Sequence, residues 1–508
     1  MNIQEPAVAS MPATVIARRF GLFTQHDAIV LMRADCAVCR SEGLAPLTQV
    51  LLRAGDREIL AMLYQVADHI LGTNEAGLSE AAWARLGVAD GDPISVRHPP
   101  PLASMSGVRR RIHGQRLDAP ALTAIIGDVA LRRYTDVHLA AFLTACSAFP
   151  LDRQETISLT RAMVDVGERL TWDAPMIIDK HSIGGLPGNR TTPIVVAIVA
   201  THGLTMPKTS SRAITSPAGT ADTMETLAPV DLDLPAMRRV VEQEGACLVW
   251  GGAVRLSPAD DVLIRIARVL DIDTEGQLIA SVLSKKIAAG STHVVLDLPV
   301  GPTTKIRSDA AATDLSARLT DVASAFGVTL RCMLTDGAQP VGRGIGPALE
   351  ARDVLAVLQG HPLAPLDLKR RACTLAGAAL ELAGACPPGQ GTRIAEATLA
   401  DGRAWAKFQR ICEAQGGMRT PPHSRLRRPL VAGRSGRVMR IDNRTLARLA
   451  KLAGAPDDKA AGLELHVRLG DEVAAGDPLV TVHAETSGEL AYALDYAAAT
   501  PDIFSVEA

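Results

Sequence analysis

Residues 179–226 carry the densest set of groups able to handle an anion: DKHSIGGLPGNRTTPIVVAIVATHGLTMPKTSSRAITSPAGTADTMET. A first polar loop, residues 179–192, presents Lys180, His181 and Ser182, then Gly184, Gly185 and Gly188. Glycines let backbone N–H groups turn toward an anion, and lysine and hydroxyls add charge and donors. A second loop, residues 208–220, supplies Ser210, Ser211, Arg212, Thr215, Ser216 and Thr220. Ordinary Gly/Ser turns would lack this company of Lys, His, Arg and hydroxyls on adjacent loops. The pattern reads as a phosphate site shared with a sugar. A GxxxxGK[ST] run is missing, so a Walker-type nucleotide triphosphatase is not indicated.

A second cluster lies in residues 271–286, DIDTEGQLIASVLSKK. Ser281 and Lys285 are four apart and share one helix face. Asp273 falls about two turns before them. A solvated stripe would look the same on this segment alone.

These groups need elements to hold them. Residues 193–203 read as a buried helix and 204–207 as a short strand. The next helix starts at Ser216-Pro217 or Thr220, with a hydroxyl as N-cap. Residues 177–249 alternate strand and helix, the pattern of a parallel α/β sheet. Residues 293–297 and 328–334 add strands, and residues 313–326, 350–358 and 366–384 add helices. The Gly-rich segment 335–347 is a turn or a wall of the cleft.

KHSIGG followed by SSRAITSPAGTADTMETL resembles the thymidine phosphorylase family of pentosyltransferases over most of the chain. It most resembles the long branch, which holds archaeal AMP phosphorylases and bacterial proteins named for thymidine phosphorylase. The resemblance implies Lys180, Ser182, Ser210 and Thr220 as phosphate ligands. It implies substrate contacts from Gly185, Ser211, Arg212, Ala213 and Ile214. Thr215, Ser216, Thr220, Ser281 and Lys305 complete that set. The family's thymidine enzymes hold the pyrimidine with a Ser-x3-Lys pair, here Ser281 and Lys285. Its AMP enzymes protonate the leaving base from an acid matching Asp273, and bond the ligand from residues matching Ser281 and Lys305.

Asp273, His181 and Lys285 are therefore the expected catalytic groups, acting on a base that otherwise leaves as an anion. Phosphate itself needs positioning more than activation. No metal and no cofactor are expected, inorganic phosphate being a substrate. Thymidine is the leading substrate. The alternative is a nucleoside-monophosphate (AMP) phosphorylase giving base and ribose 1,5-bisphosphate. Short thymidine phosphorylases carry an arginine fifteen residues before the serine, where this chain has Ile266 between Arg265 and Arg268. A magnesium-dependent phosphoribosyltransferase, which shares a KH-G-N-R and SS…GSAD pattern, and a non-catalytic binding protein are rival readings.

The 508-residue chain is long enough for three or four domains. Apolar residues make up 47%, which supports substantial cores, and aromatics only 3%, which argues against base-stacking platforms. Lys and Arg number 53 against 55 Asp and Glu, so no overall basic field draws in nucleic acid or membrane. No signal pattern or spanning run is evident, and a cytoplasmic homodimer or higher oligomer is expected. Only Cys36 and Cys39 lie close, and without a second pair they read as two reduced thiols in a tight turn.

The expected architecture is an α/β multidomain protein. Residues 1–98 form a double-psi-like β-barrel ending at a Pro-rich linker. Residues 99–172, completed by 258–290, form a small helical domain that carries the family's dimer contact. Residues 173–257, continued by 291–424, form a phosphate-binding α/β domain with a mixed sheet. Residues 425–508 form a C-terminal domain resembling a barrel-sandwich carrier, without a lysine-bearing hairpin tip, hence a structural cap.

Overall fold

The computed structural model describes residues 14–213, 216–272 and 274–507. They fall into two units: one ends at Ser106 and takes in Leu131–Thr135, and the other holds Gly107–Ala130 and everything from Asp136 onward. In the first unit six strands close into a barrel in the order Thr14–Leu22, Glu75–Ser79, Ile29–Arg33, Arg57–Val66, Gln49–Ala54, Pro93–Arg97. Alternation directs Val15, Ala17, Val30 and Met32 inward. Cys36 and Cys39 are free and buried beside this core, and the Cys39 amide donates to Cys36 Sγ at 3.1 Å across one helical turn.

In the second unit the strand His293–Val300 lies between Ile178–Ser182 and Thr329–Asp336, parallel to both. Its register sets Val295 opposite Lys180 and Asp297 opposite Ser182. The parallel pair Met206–Ser210 and Ala246–Trp250 continues the layer, joined through a parallel bridge from Ile177 to Thr205. Every pairing in this layer is parallel, so the carboxyl ends of all five strands emerge on one edge. Open α/β sheets bind ligands at that edge.

The helix Thr192–Thr201, TPIVVAIVAT, connects the two Lys-bearing strands. It is buried on all sides up to Ala200, which fits a helix packed beneath the helices Leu366–Leu382 and Arg403–Ala414. The second helix of that roof, like Gly391–Ala400 and Ser487–Ala499, was not anticipated from the sequence.

A layer of helices, Ala119–Ala130, Asp136–Ala148, Arg153–Asp165, Pro258–Leu270 and Glu275–Ala288, stands beside the sheet. Glu275–Ala288 ties the two parts together. Ile279, Val282 and Leu283 share one buried cluster with Ile157 of the neighbouring helix and with Val294, Leu296 and Leu298 of the central strand.

The C-terminal strands Leu426–Val431, Pro478–Ala484 and Gly462–Leu465 form an antiparallel sheet that takes Gly344–Ile345 as its fourth strand. Gly436–Ile441 pairs with Glu472–Val473 and Phe504–Glu507. Asn443 Nδ2 donates to Thr303 Oγ1 at 2.9 Å and to the Gly337 carbonyl at 3.0 Å. This part therefore pins loops that follow two sheet strands. Among the described residues no helix is long and apolar enough to cross a membrane.

Three local expectations need correction. Lys180, His181 and Ser182 belong to a strand rather than a loop, because the first chain-breaking glycine is Gly184. The second strand runs over Met206–Ser210, so Lys208 and Ser210 are strand residues too. The following helix starts at Thr220, but its N-cap is Gly219, whose amide donates to Asp222 Oδ2 at 2.9 Å. The Thr220 hydroxyl has another task.

Candidate active site

Strand alternation sends Lys180 and its neighbours to opposite faces, and each meets a different set of partners. Lys180 is buried. Its Nζ donates to Thr191 Oγ1 at 2.7 Å and to Thr192 Oγ1 at 3.4 Å. No carboxylate lies within 4 Å of it among the described residues. Burial lowers its pKa to about 8, with Asp297 acting in the opposite direction.

Asp179, one residue earlier, holds two other lysines, Lys208 Nζ at 3.3 Å and Lys286 Nζ at 2.6 Å. Burial opposes the Asp179 charge, but the two ammonium groups outweigh it and its pKa is lowered. Lys208 is brought down to about 7 by burial, partly offset by Asp179. The result is a buried field of net positive charge behind the strand.

His181 feels that field. Burial and then the charges of Lys286, Lys208, Lys285 and Lys180 hold its pKa well below the usual imidazole value. It is therefore neutral at working pH and can donate only a neutral N–H. Ser182 Oγ accepts from Asn189 Nδ2 at 3.3 Å, and the same amide donates to Asp297 Oδ2 at 2.8 Å. Thr335 Oγ1 donates to Asp297 Oδ1 at 2.6 Å. Two buried atoms here, Asn189 Oδ1 and Ser210 Oγ, have no hydrogen-bond partner among the described residues.

Gly185 sits at φ +82° against Lys305, where an added Cβ would come within 3.1 Å of the Lys305 amide nitrogen. This close approach brings Lys305 to the first loop. Thr220 Oγ1 accepts from Arg190 at 2.8 Å. Arg190 also donates to Glu350 Oε2 at 2.6 Å and to the Ala218 carbonyl at 2.8 Å. Arg190 thus locks the second loop to the helix Pro347–Leu358.

Arg212 does not reach into open space. It donates to both Glu225 oxygens at 2.8 Å and to Asp222 Oδ1 at 3.2 Å, and stacks 4.9 Å over the Trp250 ring. Glu225 is held down to about 2 by that Arg212 bond, and Lys459 adds a salt bridge at 2.9 Å. Asp222 Oδ2 takes the Ala213 amide at 2.6 Å. Ser216 Oγ donates to the Ala218 carbonyl at 2.8 Å, and Ser211 is exposed. Ile214, Thr215 and Asp273 lie outside the described residues.

Ser281 and Lys285 do share a face, and one acid gathers them. Ser281 Oγ donates to Asp260 Oδ2 at 3.0 Å, and Lys285 Nζ pairs with the same oxygen. Burial disfavours the Lys285 charge, but Asp260 outweighs it and the pKa is raised. Ile266 is buried on the Asp260 helix, and Arg265 beside it is engaged with Asp136 at 2.6 and 2.9 Å.

Asp260, Asp297, Asn189, Arg190 and Glu350 were missed by sequence reasoning. Asp260 looks like a first-turn helix acid that complements the dipole. Asp297 and Glu350 sit in apolar runs with no local motif. Asn189 and Arg190 lay within the quoted GNR segment and could have been singled out. Among the described residues no group of three or more His, Cys, Asp or Glu is arranged to hold a metal ion.

Comparisons with known proteins bear on this geometry. Residues 108–167 match the helical bundle domain of the glycosyl transferase family, residues 174–405 its a/b domain, and residues 437–503 the pyrimidine nucleoside phosphorylase C-terminal domain. A Chelativorans sp. (strain BNC1) protein described as "Putative thymidine phosphorylase" is 65% identical over 504 residues, 99% of each chain. A Tolumonas auensis protein of the same description is 63% identical over 491 residues, 97% of each chain. The anthranilate phosphoribosyltransferase of Thermus thermophilus superposes with a TM-score of 0.51 at 20% identity, over 61% of this chain and 99% of that one. That last likeness speaks for a shared fold alone.

Proposed function

The chain belongs to the pyrimidine nucleoside phosphorylase-like glycosyl transferases, a pentosyltransferase family, and from that membership we propose that it converts thymidine and inorganic phosphate to thymine and 2-deoxyribose 1-phosphate. The observation that carries this reading is Lys180, a buried ammonium met only by threonine hydroxyls among the described residues. A buried cation without a counter-charge is expensive, and a phosphate anion supplies the counter-charge. The Ser210 hydroxyl, without a partner among the described residues, supports the same ligand, since buried polar groups are normally bonded.

In this reading Lys180, Ser182, Ser210 and Thr220 hold phosphate beneath the anomeric carbon. A phosphate oxygen forms the bond to C1′ as the C1′–N bond breaks, and the bonding pair leaves with the base. Lys285, kept charged by Asp260, sits with Ser281 where the base binds and stabilises the developing anion. Neutral His181 donates its N–H to the same base. Asp273 is the proton donor. Gly185, Ser211, Ala213, Ile214, Thr215 and Ser216 line the substrate. The protein works as a cytoplasmic homodimer or higher oligomer, and a monomer by light scattering would count against that part.

The engagement of Arg212 with Glu225, Asp222 and Trp250 favours a nucleoside over a nucleotide, because that guanidinium is already satisfied. Lys305 beside Gly185 favours the second reading, a nucleoside monophosphate whose 5′-phosphate it would bind. Phosphorolysis of thymidine, uridine, AMP, CMP and UMP side by side, following released base, decides between them. Thymidine turning over ahead of the monophosphates supports the proposal. Thymidine at background with active monophosphates overturns it.

A further inference from the structure

A cavity of about 440 Å³ opens between the helix Pro347–Leu358 and the sheet holding Leu426–Val431 and Pro478–Ala484. No residue of the candidate active site lines it. Its polar wall is basic, with Arg343, Arg352 and Arg427 beside His423 and His483. Two acids, Asp353 and Glu464, share the wall and are already engaged. Asp353 Oδ2 accepts the Arg343 and Gly344 amides at 2.6 and 2.7 Å. Glu464 Oε2 lies 3.5 Å from His483 Nε2.

The three guanidinium groups have no carboxylate within 4 Å among the described residues. Arg352 donates to the Pro422 carbonyl, Arg343 to the Leu363 carbonyl, and Arg427 to His423 Nδ1 at 3.4 Å. Buried His483 is anchored at Nδ1 by Ser424 Oγ at 2.9 Å, while its Nε2 has no hydrogen bond among the described residues. The guanidinium groups act on their neighbours on this wall. His423 is lowered first by Arg352, then by burial, Arg427 and His483. Burial and then Arg427 lower Arg352, with Glu464 and Asp353 acting in the opposite direction. Three guanidinium groups against two acids leave this wall with a positive surplus that an oxyanion stabilises, and guanidinium forks match phosphate.

We propose that this cavity is a second, non-catalytic site for the phosphoryl group of a small molecule. Arg352 and Arg427 grip the phosphate oxygens and His423 adds a charged donor as it protonates. The volume exceeds that of a bare phosphate and falls in the range of small-ligand pockets, and Leu349, Leu355 and Leu363 offer an apolar wall to the rest of the ligand. A phosphate ester of sugar size is thus the expected occupant. The helix that supplies Arg352 and Asp353 also supplies Glu350, the partner of Arg190.

The test is histidine-labelled NMR on the full-length protein, with the His423 signal identified by its loss in His423→Gln. The probes are inorganic phosphate, a pentose 5-phosphate and the unphosphorylated pentose. A bound phosphoryl group raises the His423 titration midpoint saturably, whereas the neutral sugar leaves it in place. Arg427→Gln, at an exposed position, weakens that response by about tenfold through loss of one charged contact. A tighter response to the ester identifies an ester as the ligand, and an equal one identifies free phosphate. A midpoint unmoved by either phosphate probe, or a response unchanged in Arg427→Gln, overturns the proposal. The readout is local to His423 and does not depend on turnover at the active site.

Discussion

Replacing Lys180 by methionine separates two properties that the structure joins in one side chain. Lowering an ammonium from 10.5 to about 8 corresponds to about 3 kcal/mol spent in keeping it charged at neutral pH. Methionine keeps the apolar stem, and the Thr191 and Thr192 hydroxyls can rotate to other acceptors. At pH 7 without ligand, Lys180→Met is therefore as stable as the parent or more so, by up to about 3 kcal/mol. The sign with pH follows from linkage. The folded pKa lies below the unfolded one, so the unfolded chain binds more protons between pH 8 and 10.5. Over that window Lys180 makes the parent more stable as pH rises, and the parent-minus-variant difference shrinks accordingly. Function moves the other way. Losing one charged hydrogen bond to phosphate costs about 1.5–3 kcal/mol, an increase of about 10- to 150-fold in the phosphate KM. The nucleoside KM changes less than about twofold, within the scatter of such measurements. Urea unfolding at pH 7 and 9.5, with initial rates over a phosphate series, reads both effects. A folded variant with an unchanged phosphate KM would refute the reasoning.

Other perturbations follow from the same contacts. Asp260→Asn removes the acid that holds Lys285 charged, so burial then lowers Lys285 and the alkaline limb of the pH–rate profile moves to lower pH; a limb that stays in place would detach Lys285 from the rate. Glu350→Ala strands the Arg190 guanidinium, and denaturant unfolding should report a loss of about 3 kcal/mol, the scale for breaking one half of a buried ion pair. Gly219→Ala puts a Cβ 2.4 Å from the Ser211 carbonyl oxygen, so the second loop must shift; activity at saturating phosphate falls while the melting temperature changes little, and full activity would show that the loop gives way without consequence. Asp273→Asn lowers kcat with little change in substrate KM if that carboxyl protonates the base, and an unchanged kcat removes it from the mechanism.

Much of the architecture was legible because it rests on local pattern. The apolar run over residues 193–203 reads as a buried helix, found at Thr192–Thr201, and the spacing of Ser281 and Lys285 placed both on one helix face, as found. The glycine-rich loops were legible as close approaches of backbone to something else. What pairs with what was not legible. Lys180 looked like a loop lysine, yet it is strand-borne, and only the register with Val295 and the position of Thr191 explain its burial. Arg212 read as a free anion donor, yet Asp222 and Glu225 from the next helical turn satisfy it. Asp260 lies 21 residues before Ser281 on another helix, so no local period links them. Long-range charge pairing sets which groups remain available to a ligand, and a single chain of letters carries no signal for it.

The central claim, cleavage by inorganic phosphate, is tested most directly by phosphorus NMR of a thymidine reaction with and without phosphate. The account predicts that thymine appears only when phosphate is present, in step with one equivalent of a pentose 1-phosphate resonance. Release of thymine without phosphate, or turnover only of a pyrophosphate-bearing sugar with magnesium, would contradict it.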